Sequence, residues 1–417
     1  MKKIIINGDK KLKGRVSISG SKNESLAILC AALLSTDRVV LKNVPNIKDI
    51  SVMKNLIENI GSKITSSDNI IIAPQIINHI IKSNNVGLIR NSILLLGPLI
   101  AKRKKAIIPV PGGCNIGSRP INLHLEGLKK LGVDIKVSNG LVSAQTKELR
   151  GAKIKLGFPS VGATESIMIT ATVAEGQTII YNAARESEIQ GLARFLNQMG
   201  ADIKGMGTDT LVINGKKELS GTEYSVSPDR IETITYMILG SFPGNEIRVE
   251  NTNKEDVCEV MQTLRDMCVS IENERTDIIV RGDKDLKSAN IIAKPFPNFP
   301  TDAQALITPL LCSAKGESSI TDNVFPERFT HIKELRKMGA HIILKGNKAT
   351  IFGQYKLKGA KVICHDLRGG MALILAGLVA KGKTIIENKH YIDRGYENYI
   401  EKLQSLGTKI NLFNHKL

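Results

Sequence analysis

Lys22, Arg90, Arg230 and Arg368 stand where a cation is out of place, each near the start of a run apolar enough to form a buried helix. The six such starts read Gly20-Ser21-Lys22-Asn23, Arg90-Asn91-Ser92, Ser160-Val161-Gly162-Ala163-Thr164, Ser227-Pro228-Asp229-Arg230, Pro300-Thr301-Asp302 and Asp366-Leu367-Arg368-Gly369. Ser, Thr and Asp are ordinary N-caps worth about 1 kcal/mol each, a reading that accounts for Ser160, Thr301 and Asp366. It leaves the cations unexplained, because positive charge at a helix N-terminus opposes the macrodipole. Helix N-termini supplemented by Lys or Arg hold phosphate and carboxylate, so the pattern predicts a strongly anionic small substrate. No Walker GxxxxGK[ST] and no GxGxxG occurs, which sets aside the usual nucleotide-triphosphate and dinucleotide sites.

Two other segments have chemical character. Pro111-Gly112-Gly113-Cys114-Asn115-Ile116-Gly117-Ser118-Arg119-Pro120 is too Gly-rich for regular structure and reads as a loop, of the kind that serves as a lid. Cys114 is either an inert small residue or a reactive thiol, and the flanking glycines and Arg119 favour the latter. His390-Tyr391-Ile392-Asp393-Arg394-Gly395-Tyr396-Glu397 precedes the last helical pattern, with a buried Asp–Arg pair as its plain reading. The seven histidines are scattered, with no HExxH and no His/Cys cluster, so no metal site is expected.

The elements that must position these residues repeat. An apolar residue, then Gly, then Ile three positions on, recurs as Ile60-Gly61…Ile64, Leu131-Gly132…Ile135, Met199-Gly200…Ile203, Met338-Gly339…Ile342 and Leu406-Gly407…Ile410. A sixth copy, Met267-Cys268…Ile271, carries Cys in place of Gly, and the steps between copies are 71, 68, 68, 71 and 68 residues. Each phrase ends an amphipathic helix at its C-cap and opens a strand. Upstream of each lies a second helix, apolar all round and therefore buried, followed by a turn and a β-rich run. Three such units per domain divide the chain into 20–227, carrying the Cys114 loop, and a discontinuous partner of 1–19 with 228–417.

Composition narrows the class. The 417 residues are 42% hydrophobic, enough for real cores, and no stretch of about 18 apolar residues suggests a membrane span. The start MKKIIINGDKKLKG is no secretory signal, and six cysteines without a CxxC pair suit a reducing cytosol, so a cytoplasmic protein is expected. A net charge of +18 admits a basic RNA-binding protein. Only 4% aromatics and no Trp leave little surface for base stacking, and no nucleic-acid partner is expected.

GSKNESLAIL, PGGCNIGSRP, FPTDAQA, FPERF, DLRGG and YIDRGYE, in this order and spacing, resemble the UDP-N-acetylglucosamine 1-carboxyvinyltransferases of the enolpyruvyl transferase family, essentially end to end. The resemblance implies two inside-out α/β prism domains, each of three βαβαββ repeats around buried helices, with the active site in the cleft between them. It implies transfer of the enolpyruvyl group of phosphoenolpyruvate to the 3-hydroxyl of UDP-N-acetylglucosamine through a tetrahedral ketal, the first committed step of peptidoglycan synthesis. No metal or organic cofactor and no membrane partner is expected, and the oligomeric state stays open. The related 5-enolpyruvylshikimate-3-phosphate synthases share the architecture but have no matching Cys loop.

Carried over to this chain, the resemblance makes Cys114, Asp302, Lys22 and Asp366 catalytic. Cys114 would be the proton donor and the site of a pyruvate adduct, Asp302 the general base, and Asp366 an orienting group near the reacting carbon. Lys22, Asn23, Arg119, Arg328, Arg368 and Arg394 would hold phosphoenolpyruvate. Asn23, Arg90, Arg119, Pro120, Ile121, Asn122, Leu123, Phe158, Pro159, Ser160, Val161, Asp302, Val324 and Phe325 would hold the UDP-sugar. Asn122 replaces the family's common Asp, and Phe158-Pro159 replace residues often polar or basic.

Overall fold

The computed structural model describes residues 2–82, 84–112, 116–117, 120–354 and 356–414. Twelve α-helices occur among them: α1 Lys22–Ala31, α2 Lys48–Asn59, α3 Leu96–Arg103, α4 Asn122–Lys130, α5 Val161–Ala171, α6 Ser187–Gln198, α7 Arg230–Gly240, α8 Cys258–Asp266, α9 Thr301–Ser313, α10 Thr330–Lys337, α11 Leu367–Val379 and α12 Tyr399–Ser405. The odd-numbered helices are the apolar ones. In α1 every residue but Asn23 is buried, in α7 every residue but Arg230, and in α11 every residue but Val379. The even-numbered helices bury one face each. None of the twelve is long and apolar enough to cross a membrane.

Among the described residues, six small sheets surround the inner helices, three in each of two compact units. One unit comprises 2–19 with 228–414, the other 20–112 with 120–227; residues 116 and 117 group with the first. Each unit has its own apolar core. A short strand enters an inner helix and the strand leaving it returns parallel to the first. Lys153–Lys155 and Gln177–Tyr181 flank α5 in this way, Asn290–Ala293 and Glu317–Asp322 flank α9, and Lys361–Ile363 and Lys383–Glu387 flank α11. A hairpin after each surface helix then adds antiparallel strands, as Lys63–Ser66 and Ile70–Ala73 do after α2. The two ends of the chain share a sheet, because Lys2–Asn7 lies antiparallel between Lys383–Glu387 and Lys409–Asn414.

The repeated phrase has a backbone cause. Gly61, Gly132, Gly200, Gly339 and Gly407 have φ of +115°, +90°, +100°, +89° and +88°, the left-handed conformation that lets the chain leave a surface helix. Cys268 occupies the same position at φ +69°, where a Cβ is unfavourable. The apolar residue before each is buried, from Ile60 to Leu406.

In one place the helix prediction is corrected. The run from Arg90 begins as a 3₁₀ turn, Arg90–Leu95, and becomes α-helical only at Leu96. Pro98 explains it: an α-helix starting at Leu96 puts the proline in its first turn, where no backbone N–H is needed.

Candidate active site

In the unit of 228–414, the first turns of α9 and α11 are brought together by one carboxylate. Asp302 is the second residue of α9 and Arg368 the second of α11. Arg368 donates to Asp302 Oδ2 from Nε at 2.9 Å, and its Nη2 lies 2.9 Å from the same oxygen in the ion pair. Arg328, just before α10, donates from Nη1 to Asp302 Oδ1 at 2.6 Å and to Thr301 Oγ1 at 3.3 Å. Arg328 and Arg368 are only 6% and 3% exposed, whereas the Asp302 side chain keeps 27% of its surface open. Burial alone would raise the Asp302 carboxyl, but the two guanidinia outweigh it and hold the group far below the usual carboxylate range. Against the lowering effect of burial, Asp302 raises Arg328, and Arg368 is raised by Tyr396 first and Asp302 next.

The surroundings fix this cluster. Asp366 caps α11, its Oδ1 accepting from the backbone N–H of Arg368 and Gly369 at 3.0 and 2.9 Å, while its Oδ2 accepts from Thr330 Oγ1 at 2.7 Å. The orientation of Arg368 thus begins at its own helix cap, and the Tyr396 ring lies 5.3 Å from its guanidinium carbon. Thr301 is not an N-cap, that position being Pro300; its hydroxyl donates to Asp322 Oδ2 at 2.6 Å. Asp322 Oδ1 accepts from the N–H groups of Val324 and Phe325, which places the Phe325 ring 5.7 Å from the guanidinium carbon of Arg328. His331 is buried, within 3.2 Å of Thr308 Oγ1, and burial lowers its ring to about 4 although Asp366 pulls the other way. Arg328 Nε is buried without a hydrogen-bond partner among the described residues. Arg394 is buried at the end of the 3₁₀ turn Lys389–Arg394, which packs on α11. Its neighbour Asp393 pairs with Lys389 at 2.6 Å, so the plain Asp–Arg reading of this segment gives way to an Asp–Lys pair.

In the unit of 20–227, Lys22 is the first residue of α1 and ion-pairs with Asp49 Oδ2 at 2.8 Å. Asn23 beside it is half-buried. Arg90 Nη2 donates to the carbonyl of Pro120 at 2.8 Å, tying the 3₁₀ turn to the chain that enters α4. There Pro120 and Asn122 are exposed and Ile121 and Leu123 half-buried. Ser160 caps α5, accepting from the N–H of Ala163 at 3.3 Å, with Pro159 and Val161 half-buried beside it and Phe158 38% exposed. His124 of α4 meets Ser166 of α5 at 2.9 Å, and a Cβ on Gly162 would lie 2.8 Å from the His124 ring, so only glycine fits there. Cys114 and Arg119 lie outside the described residues.

Two of the four unexplained cations of the sequence therefore have protein anions against them, Lys22 with Asp49 and Arg368 with Asp302, which Arg328 shares. Asp49 was invisible beforehand, since an acidic residue in the first turn of a surface helix is commonplace. His331 carried no signal at all.

Residues 6–403 match the family EPSP synthase (3-phosphoshikimate 1-carboxyvinyltransferase). The chain belongs to this transferase family. Among its relatives, UDP-N-acetylglucosamine 1-carboxyvinyltransferase 1 of Caldanaerobacter subterraneus subsp. tengcongensis is 46% identical over 410 residues, 98% of this chain and 99% of the relative. UDP-N-acetylglucosamine 1-carboxyvinyltransferase 1 of Carboxydothermus hydrogenoformans is 43% identical over 415 residues, 99% of each. The carboxyvinyltransferase fold is also shared with the enolpyruvyl transferase NikO from Streptomyces tendae, at TM-score 0.89, 22% identity and 99% and 98% coverage. EPSP synthase from Acinetobacter baumannii aligns at TM-score 0.76 with 19% identity, over 99% of this chain and all of that one.

Proposed function

We propose that this chain transfers the enolpyruvyl group of phosphoenolpyruvate to the 3-hydroxyl of UDP-N-acetylglucosamine with release of phosphate, a step of peptidoglycan synthesis. The observation that carries this reading is Asp302 held between the buried guanidinia of Arg328 and Arg368. A carboxylate base stands there beside two forked cations suited to a donor bearing both carboxylate and phosphate.

The donor's anionic groups take over the guanidinia, with Lys22, Arg119 and Arg394 completing their neutralisation and the Asn23 amide donating a hydrogen bond. Relieved of its two cations, Asp302 becomes more basic and accepts the proton of the sugar 3-hydroxyl. The hydroxyl oxygen bonds to C2 of the donor, Cys114 gives a proton to the methylene carbon, and a tetrahedral ketal forms. Loss of phosphate with its bonding electron pair, and of one proton from the new methyl group, restores the double bond. Asp366 acts by holding the first turn of α11, and with it Arg368, in place. Arg90, the segment Pro120-Ile121-Asn122-Leu123, the segment Phe158-Pro159-Ser160-Val161, and Val324 with Phe325 hold the UDP-sugar.

The family's description names 3-phosphoshikimate, which is the acceptor of the alternative reading. Phosphate release measured with phosphoenolpyruvate and each acceptor in turn separates them. Release with UDP-N-acetylglucosamine alone is expected, and release with 3-phosphoshikimate alone overturns the assignment.

A further inference from the structure

Lys22 and Asp49 form an ion pair in which both side chains are nearly inaccessible, 10% and 4% exposed, with Nζ and Oδ2 2.8 Å apart. The two residues lie in the first turns of adjacent helices: Lys22 opens α1, and Asp49 is the second residue of α2, which packs on it. α2 has no side-chain N-cap, because Ile47 stands at that position, so Asp49 is the acid in its first turn and complements its dipole. Lys22 has the opposite setting, a cation at the start of a helix capped by Ser21. Asp49 thus supplies the charge that makes a buried ammonium tolerable at that helix end. It also restrains a group that is otherwise a point charge on a flexible four-carbon stem.

We propose that Asp49 is a positioning residue for enolpyruvyl transfer, acting through Lys22 by holding its ammonium at one place against the donor phosphate. The proposal rests on the reading of Lys22 as a donor ligand. Because the ammonium directs two of its three N–H bonds elsewhere when one is committed to Asp49, the carboxylate sets the direction in which Lys22 meets the developing charge. A misplacement of such a group by about 1 Å costs on the order of 100-fold in rate.

The test compares wild type, Asp49→Asn, Asp49→Ser and Asp49→Glu, with thermal melting to establish folding. Asn and Ser are both well tolerated at helix starts, and the second neutral variant keeps the measurement available should the first not fold. The expected result is a fall in kcat of about 10- to 100-fold in the neutral variants, with the KM for phosphoenolpyruvate changed by less than about threefold. Asp49→Glu is expected to recover most of the lost kcat. Folded neutral variants with kcat within about twofold of wild type overturn the proposal, as does a lowered donor KM at unchanged kcat, which means that Asp49 only tempers local charge. Failure of wild type itself to release phosphate instead overturns the functional reading.

Discussion

Arg368 meets Asp302 side-on, its Nε and Nη2 both 2.9 Å from a single carboxylate oxygen, while Arg328 takes the other oxygen. The carboxylate proposed as the base is therefore protected from protonation before the donor arrives. Removing one partner of a buried ion pair leaves the other uncompensated, so Asp302→Ala is expected to lower the unfolding free energy by about 3 kcal/mol. Inorganic phosphate then has two vacant guanidinia to occupy. It should stabilise Asp302→Ala more than wild type in thermal melting, and equal shifts in the two proteins would contradict an anion site at Arg328 and Arg368.

The carboxyl of Glu24 gives the folded chain a pH dependence. Glu24 lies on α1, accepts from Tyr224 Oη at 2.9 Å and from the Ser227 hydroxyl at 3.3 Å. Burial raises it from its ordinary 4.5 to about 7, against the lowering pull of those hydrogen bonds. The folded chain holds this proton where the unfolded chain has released it. Its contribution to stability is complete below about pH 4.5 and is lost as pH rises through about 7. Over that span the loss reaches roughly 3 kcal/mol at about 1.4 kcal/mol per pH unit. His331, lowered from 6.5 to about 4, works in the other direction: its contribution is present above about 6.5 and lost as pH falls through about 4. Glu24→Gln leaves the His331 effect in place, so subtracting variant from wild type isolates Glu24. Denaturant midpoints measured from pH 4.5 to 7 should show the Gln variant gaining relative stability as pH rises.

The C-cap position of the six repeats makes a paired prediction. Cys268→Gly relieves a left-handed residue and is expected to stabilise by roughly 0.5–1 kcal/mol, the gain being reduced by the entropy of glycine in the unfolded chain. Gly339→Ala puts a Cβ on the same conformation at φ +89°, with nothing near enough to clash, and should cost about 1–2 kcal/mol. Opposite shifts of thermal midpoint are the expected outcome. A destabilised Cys268→Gly would show that the thiol makes a compensating contact.

Much of the fold was legible because its period is enforced by the backbone. Five glycines, in a series of six positions 68 or 71 residues apart, mark five left-handed caps, and the apolar residue before each marks the core. The 3₁₀ start at Arg90 was not legible, because Pro98 is compatible with both readings until the helix has a fixed first residue. Of the candidate site, the cations announced themselves by opposing helix dipoles. Their partners did not, since the pairing of Lys22 with Asp49 and of Asp302 with Arg328 and Arg368 spans 27, 26 and 66 positions and depends on how helices pack. The thiol reading of Cys114 rests on its flanking residues and on resemblance. It is checked by alkylation: loss of turnover that tracks modification of Cys114 alone supports it, and intact turnover after its modification contradicts it.

Mass spectrometry of the acceptor after turnover tests the central assignment most directly. Incubated with phosphoenolpyruvate and UDP-N-acetylglucosamine, the folded protein should convert the nucleotide sugar to its 3-O-enolpyruvyl ether, with one phosphate released per sugar modified. An unchanged UDP-sugar, or an enolpyruvyl group found on 3-phosphoshikimate when both acceptors are offered, would contradict it.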